Sequence, residues 1–320
     1  ASDTGDTTDT GAPGCGIVES LVIDDTTDLD ALGCIEEVNG DLTIGPTIAL
    51  TSLAPLKNLR RVGGTLDIYD NAALVDLTGL DGLEEVGEWL IVRYNAALVT
   101  MDGLGALTRL NALEVSSNDS MVALSSFGGA VEFGPWGYFE LDRLPKLKSL
   151  KSLAGLKLIT ADTTTIQIRV EQNQALTDLT GLGACCTGAH VDLAVLGNHA
   201  LPSLAGLEPF TALGRLEIVA NHALKDLSGL GGVKTIEWLE IGMQCYDFPV
   251  EPSPVGNDSL VSLAGLNALT AVTMQLNIMG NKKLPVAVAN AFRDMVADKV
   301  GSEICDNQGG FSCESVLCPP

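Results

Sequence analysis

Aromatic residues are scarce in this chain, 4% of 320 positions. A core made without them has to come from Leu, Ile, Val and Ala, whose small volumes suit a narrow interior that offers the same slot again and again. Histidine is scarcer, with three residues, too few to make an imidazole-centred active site a natural reading. Basic residues number 18 against 41 acids, a net charge of −23. Phosphate binding needs clustered Lys and Arg, so nucleic acid is not an expected partner, and anionic membrane surfaces are disfavoured too. Residues 1–41 hold eleven acids, from Asp3 to Asp41, and no Lys or Arg. No apolar run approaches the roughly 18 residues that suggest a transmembrane helix, so no transmembrane segment is expected.

What is present is a repeat. Asn-Ala-Ala-Leu-Val-Asp-Leu-Thr-Gly-Leu-Asp-Gly-Leu-Glu-Glu-Val begins at Asn71, and edited copies open at Asn95, Asn118, Asn173, Asn198, Asn221, Asn257 and Asn281, usually 23 to 25 residues apart. Such a period predicts a solenoid in which each copy is one coil stacked on its neighbours. A Leu-x-Ile or Leu-x-Val strand lies five to three residues before each Asn: Leu66/Ile68, Leu90/Val92, Leu113/Val115, Ile168/Val170, Leu193/Val195, Leu216/Ile218, Leu239/Ile241 and Leu276/Ile278. Alternation turns these residues inward and leaves the ones between them on an exposed face. After the Asn, Leu74, Leu77, Leu80, Leu83 and Val86 recur every third residue, which suits extended or 3₁₀-like corners better than an α-helix.

The pattern divides the chain into an acidic low-complexity tail (1–14), an N-terminal cap with the first strand (15–50), the repeats (51–285), and a capping helix with a Cys-rich tail (286–320). Two stretches read as irregular loops, 128–146 and 244–256; across the first, Leu147 is placed where the Asn would stand. Val288, Phe292, Met295, Val296 and Val300 have helical spacing within the C-terminal cap. Eight cysteines, Cys15, Cys34, Cys185, Cys186, Cys245, Cys305, Cys313 and Cys318, cluster at the ends and the irregular places. Their even number points to disulfides and an oxidising compartment. Cys15 with Cys34 is a plausible cap staple, and the vicinal Cys185-Cys186 pair reads as structural with Cys245 rather than as a redox switch. The absence of any Cys-x-x-Cys pair or nearby His argues against zinc at Cys305, Cys313 and Cys318. The chain opens on Ala1, as expected of an exported protein whose signal has been removed.

The unit Asn-x-x-Leu-x-x-Leu-x-Gly-Leu-x-x-Leu-x-x-Val-Gly-Gly-x-Leu-x-Ile resembles the receptor L domain, the leucine-rich solenoid of insulin- and epidermal-growth-factor-type receptors, with similar repeats in bacterial and fungal surface proteins. Gly63-Gly64, the strands and the Asn column carry the likeness across residues 34–284. The resemblance implies a mainly β, right-handed parallel solenoid, an extracellular or cell-surface location, recognition by the exposed sheet face, and no catalysis. With no Cys-rich module between two L domains and no kinase, receptor signalling is not implied.

The outward strand positions include Tyr69, Trp89, Ile91, Arg93, Arg169 and Trp238, and the first irregular loop holds Trp136, Tyr138 and Phe139. Exposed aromatics among charges have the composition of contact patches, so these nine residues are the candidate binding set. The partner would be a protein or glycan, or another copy of the chain in a filament or surface layer. A polysaccharide-active enzyme would need a carboxylate cluster beside Arg, and Glu217, Glu240, Arg169 and Arg215 are the one group that fits. The Asn column itself reads as structural, its side chains bonding the corner backbone and the next Asn; the sequons at Asn118 and Asn257 use that column and are not expected to be modified. His199 and His222 follow ladder Asn residues and should stack about 5 Å apart. The other residues in that column are mixed, so no metal is expected there. The acids Asp24, Asp25, Asp28 and Asp30 lack the spacing of a calcium loop. No cofactor is expected.

Overall fold

The computed structural model describes residues 16–124, 127–159, 165–185, 190–242, 256–297 and 300–310, with Pro135, Trp136 and Ile159 described in backbone only. The fold is mainly β and solenoid-like: sixteen strands join one sheet, and every pairing among the described residues is parallel.

The first coils carry two short strands each. One set is β1 (Gly16–Val18), β3 (Ile35–Val38) and β5 (Arg61–Val62); the other is β2 (Leu21–Ile23), β4 (Leu42–Ile44) and β6 (Leu66–Tyr69). The two sets merge in β7 (Glu85–Arg93), where Val86 continues the first and Leu90 the second. Single longer strands follow: β8 (Arg109–Ser116), β9 (Ala130–Asp142), β11 (Thr165–Glu171), β12 (His190–Leu196), β13 (Ala212–Val219), β14 (Thr235–Gly242), β15 (Ala271–Met279) and β16 (Gly301–Cys305); β10 (Lys157–Ile159) pairs only with the start of β9. A four-residue helix α1 (Leu182–Cys185) and three 3₁₀ turns complete the coils, and α2 (Val286–Val296) packs against β15 and β16. The helix buries Ala289, Phe292 and Val296, while Val288 and Met295, read from the sequence as part of its apolar stripe, are exposed.

The inward leucines form continuous columns. Leu42, Leu66, Leu90, Leu113, Phe139, Ile168, Leu193, Leu216, Leu239 and Leu276 are successive register partners, and Ile44 through Ile304 run parallel to them. The corner leucines Leu74, Leu77 and Leu80 are fully buried as well. At about 1.5–3 kcal/mol per buried Leu, these columns supply the main drive for stacking.

Between strand and corner runs a ladder of buried side chains. The backbone N–H of Asn71 donates to Oδ1 of Asn95 (3.1 Å), Asn95 to Asn118 (2.9 Å), Asn173 to Asn198 (3.0 Å), Asn198 to Asn221 (3.0 Å), Asn221 to Asn257 (2.9 Å) and Asn257 to Asn281 (3.2 Å). Each Nδ2 donates in turn to a strand carbonyl one coil back, Asn221 to Val195 at 2.8 Å for example. Two members escape the sequence pattern. Thr47 opens the ladder by donating its hydroxyl to Asn71 Oδ1 at 2.7 Å, and Asn307 closes it by accepting from the Asn281 amide at 3.3 Å. Asn118 and Asn257 are fully buried here.

Most corners place a left-handed residue just before the ladder residue. Asp70, Tyr94, Ser117, Arg143, Gln172, Ala220 and Asp306 all have φ between 50° and 58°, a conformation that costs a non-glycine residue about 1–2 kcal/mol. Arg143 is informative, because it places Leu144, not Leu147, at the missing Asn position; the Leu144 amide donates to Asn173 Oδ1 at 3.0 Å. That shift corrects the stretch 128–146 from a loop to a sheet strand. Phe139 and Leu141 stand five and three residues before Leu144 and point inward, and the extra residues form a bulge in β9 between the partners of Leu110 and Ala112. Phe139 is fully buried and is therefore core rather than contact surface. The second corner uses glycine: at Gly229, φ is 116° and a Cβ would lie 2.0 Å from the Leu204 carbonyl oxygen of the preceding coil.

The loop 244–256 falls, except for Gly256, outside the described residues, as do the tail 1–14, Cys15, Cys186, Cys245, Cys313 and Cys318. Asn221→Ala should lower stability by about 3 kcal/mol, because it strips partners from buried amide and carbonyl groups on both neighbouring coils. Gly229→Ala should also destabilise, by about 1–3 kcal/mol or more, through its left-handed φ and the carbonyl contact. Denaturant unfolding midpoints of the two variants and the wild type measure both effects.

Candidate functional site

The outward residues of the sheet stand in three columns, one rung per coil. The first holds Trp89, Ala112, Tyr138 and Gln167, then Arg215, Trp238 and Gln275 two coils on. The second runs Asp67, Ile91, Glu114, Glu140, Arg169, Ala194, Glu217, Glu240, Asn277 and Glu303. The third runs Tyr69, Arg93, Ser116, Asp142, Glu171, Leu196, Val219, Gly242 and Met279. Strand alternation alone puts Tyr69, Trp89, Ile91, Arg93, Tyr138, Arg169 and Trp238 of the candidate set on this face. Trp136 lies in the β9 bulge, and its side chain falls outside the described residues.

The two halves of the face differ. From β6 to β9, Asp67, Tyr69, Trp89, Ile91, Arg93, Glu114, Tyr138 and Glu140 are partly accessible. From β12 to β15, the outward Ala194, Glu217, Val219, Glu240, Asn277 and Met279 are as buried as their inward neighbours. Neither half is uniform: Ala112, Ser116 and Asp142 are buried in the first, and Leu196, Arg215, Trp238 and Gln275 are partly accessible in the second.

In the open half, aromatic rings and ion pairs alternate. The rings of Trp89 and Tyr138 approach to 5.4 Å between centroids at an angle of 50°, an edge-tilted contact of the favourable kind. The Arg93 guanidinium lies 5.4 Å from the Tyr69 ring and reaches Asp67 Oδ2 at 2.8 Å. Its hydrogen bond to Asp67 holds Arg93 above its ordinary pKa. At the strand entry, Glu37, Arg61, Glu85, Arg109 and Glu132 are register partners in alternating sign, Arg61 contacting both Glu37 and Glu85; no sequence signal beyond the coil period marked that column.

Toward the middle of the sheet the carboxylates sink inward. Tyr138 donates its hydroxyl to Glu140 Oε2 at 2.7 Å, and burial together with that bond pushes the phenol well above its usual range. Asp142 is 6% exposed and sits beside Arg143 at 2.8 Å. Burial outweighs that arginine and raises the Asp142 pKa. Glu171, its register partner, is raised for the same reason against the pull of Arg169, with which it pairs. Further along, Arg215 contacts Glu217 and lies 3.7 Å from Glu240, and its guanidinium stacks 4.8 Å from the Trp238 ring. Three members of the group proposed from sequence are thus brought together, Glu217 and Glu240 as buried carboxylates bridged by Arg215. Arg169 stands two coils away, paired with Glu171.

Among the described residues no three His, Cys, Asp or Glu side chains form a cluster that could hold a metal ion, and no helix is long and apolar enough to cross a membrane. The early acids serve the cap: Asp24 binds Thr26 and Thr27, Asp25 accepts from the Ile48 amide at 3.0 Å, and Asp28 accepts from the Asp30 amide at 3.2 Å. No family model, curated protein or solved structure matches the chain.

A raised carboxyl pKa binds its proton more tightly in the folded than in the unfolded chain. Its stabilising contribution is therefore complete below the ordinary carboxylate range and fades as pH rises through the raised value. Asp142→Asn removes that titration at the cost of an exposed arginine contact of little worth. The variant should melt higher than the wild type at neutral pH, and the difference should vanish below about pH 4. Thermal melts across a pH series check both the sign and the window.

Proposed function

We propose that the chain is a non-enzymatic, exported surface protein, of the receptor L-domain-like solenoid type, that recognises or adheres to a protein or glycan. The reading includes a right-handed coil and disulfide-stapled ends. The observation that carries it is the group of partly accessible aromatic and arginine side chains on the N-terminal strands. The N-terminal half presents Tyr69, Trp89, Ile91, Arg93 and Tyr138 in adjacent accessible positions on rigid strands. Rings and an arginine held this way lose little entropy on contact and are the residue types that dominate binding energies. Solenoid stacking lets such a surface extend over several coils without a pocket. The export part is supported by the sulfurs: none of Cys34, Cys185 and Cys305 presents a free thiol.

This reading assigns the carboxylates around Arg215 to holding the sheet face together. Glu217 and Glu240 are buried, which counts against a polysaccharide-cleaving role.

Screening the protein on glycan and extracellular-protein arrays tests the proposal. Trp89→Ala and Tyr69→Ala should each lower binding to any hit by at least tenfold, or about 1.4 kcal/mol, while the chain remains folded by circular dichroism. Trp238→Ala should leave binding unchanged. Hits that ignore Trp89 and Tyr69 would reject the face as the recognition surface.

A second reading, self-assembly, draws on one observation. Val75, Val99 and Val122 are exposed at 47%, 39% and 49% and stack in register on successive coils, Val99 N–H to Val75 O and Val122 N–H to Val99 O. Sedimentation should return a monomer if the recognition reading is correct. Polymers that Val99→Asp disperses would put assembly in its place.

A further inference from the structure

The coil between Asn118 and Asn173, which carries Leu144 in place of a ladder asparagine, has a surface unlike the rest of the chain. Arg143, Lys146, Lys148, Lys151 and Lys157 follow one another there, with no acid from 143 to 161. They are five of the 18 basic residues in a chain of net charge −23.

The repeat does not ask for these lysines. Lys146, Lys148 and Lys151 stand two, four and seven residues after the ladder position. The coils opening from Asn71 to Asn257 carry Ala or Ser at the first of these places. They carry Val, Thr or Pro at the second, Lys225 excepted, and Thr, Ser, Ala or Asp102 at the third. Packing does not use the lysines either. Lys146, Lys148, Lys151 and Lys157 are all exposed. Among the described residues none of them lies within ion-pair distance of a carboxylate. Lys146 Nζ meets only Ser120 Oγ, at 3.5 Å, and Arg143 is paired with Asp142. Asp178, on the next coil, is close enough to feel the charge of Lys151. Its own hydrogen bonds come from Ser149 Oγ at 3.1 Å and the Thr180 amide at 3.0 Å.

The backbone beneath the lysines is held firmly. The Lys148 carbonyl accepts from the Thr177 amide at 3.0 Å and from its hydroxyl at 3.2 Å. Lys151 opens a 3₁₀ turn (Lys151–Gly155), its amide on Ser149 Oγ at 3.3 Å. Three like charges are thus kept side by side on one rigid coil, an arrangement that costs stability unless an anion answers it.

We propose that this coil is a docking strip for an acidic polysaccharide, whose carboxylate or sulfate groups pair with the ammonium groups of Lys146, Lys148 and Lys151. Such a polymer carries anions at intervals along a strand rich in hydroxyls. The lysine Cα atoms stand at most about 7 and 11 Å apart in succession, and Ser120 and Thr177 add hydroxyls beside them. An ammonium is a compact point charge with three rotatable donors, suited to anions whose spacing varies along a flexible strand. Positions 143–157 hold no aromatic residue, so the strip lacks the anchors around which protein interfaces are built. It also lacks the rings on which single-stranded nucleic acid stacks. A duplex, with one charge per roughly 1.7 Å, would meet repulsion from the acidic surface on either side, whereas a narrow, sparsely charged strand fits the strip alone. The lysines follow the ladder corner and the candidate rings precede it on the sheet, so this surface is separate from the ring-bearing face.

The test titrates the full chain by calorimetry with polygalacturonate, dextran sulfate and uncharged dextran, which separates carboxylate, sulfate and sugar alone. At least one of the two charged polymers should bind, uncharged dextran should not, and affinity should fall as salt rises from about 50 to about 200 mM. The variant Lys146→Ser/Lys148→Thr/Lys151→Thr takes the residues that Ser120, Thr177 and Thr180 supply at the same places on neighbouring coils, so the fold is kept. It should lose about tenfold or more in affinity with its circular dichroism unchanged, while Lys225→Thr, a lysine of the same column on another coil, should lose none. No binding of either charged polymer, an unaffected triple variant, or an equal loss in Lys225→Thr would overturn the proposal. Tighter binding of polyglutamate or poly-dT than of both charged polysaccharides would overturn it too, and would give the strip to an acidic protein or a nucleic acid.

Discussion

One buried interaction, the asparagine ladder, sets what the rest of the molecule can do. Each rung satisfies a corner whose backbone is otherwise expensive. Seven non-glycine residues sit at φ near 55° beside it, a total cost of about 7–14 kcal/mol, comparable to the whole stability of an ordinary domain. Leucine burial drives the coils together but does not choose between corner conformations. The ladder holds them in place, because Oδ1 and Nδ2 of each Asn bond amides and carbonyls that the corner and the neighbouring coil present. Several bonds per rung at about 1 kcal/mol each offset the strain. Where Leu144 interrupts the column, the geometry survives because the neighbours on either side impose it.

A ladder of this kind makes the outer columns rigid by default, so the surface chemistry of the sheet is decided by which residues the sequence places on successive rungs. In the N-terminal half the partly accessible outward residues are rings and paired charges, with Ala112, Ser116 and Asp142 buried among them. In the C-terminal half they are alanine, valine, methionine and carboxylates drawn under Arg215 and Trp238. Burying Glu217 and Glu240 costs desolvation that one arginine only partly returns. Their place is therefore best understood as registration of the face. The stacked His199 and His222 depend on the same fixed spacing, since side chains on a freely flexing loop would not hold two rings 4.2 Å apart.

Much of this was legible before any coordinate. The Asn period, the strand five to three residues ahead of it, and the triplet leucines are local signals repeated often enough to fix register, and Leu66 through Ile278 pair as that spacing predicts. Two of the departures share one cause, the interrupted column. Placing Leu147 instead of Leu144 on the ladder moved the strand three residues out of phase, turning Phe139 from core into a supposed contact residue and β9 into a loop. The bulge after Phe133 had hidden the spacing. Asn307 and Thr47 escaped because the first lies beyond the capping helix and the second is a different residue type making the same bond. The burial of the outer face beyond β12 was not readable, because alternation specifies which way a side chain points and not what lies over it.

Native-state hydrogen exchange at the ladder amides tests the central claim most directly. If the ladder holds the corners, the backbone amides of Asn71, Asn95, Asn173, Asn198, Asn221, Asn257 and Asn281 should exchange as slowly as those of the inward strand residues, opening only with global unfolding. Exchange of these amides at the rate of solvent-exposed turns, while the strands remain protected, would contradict it.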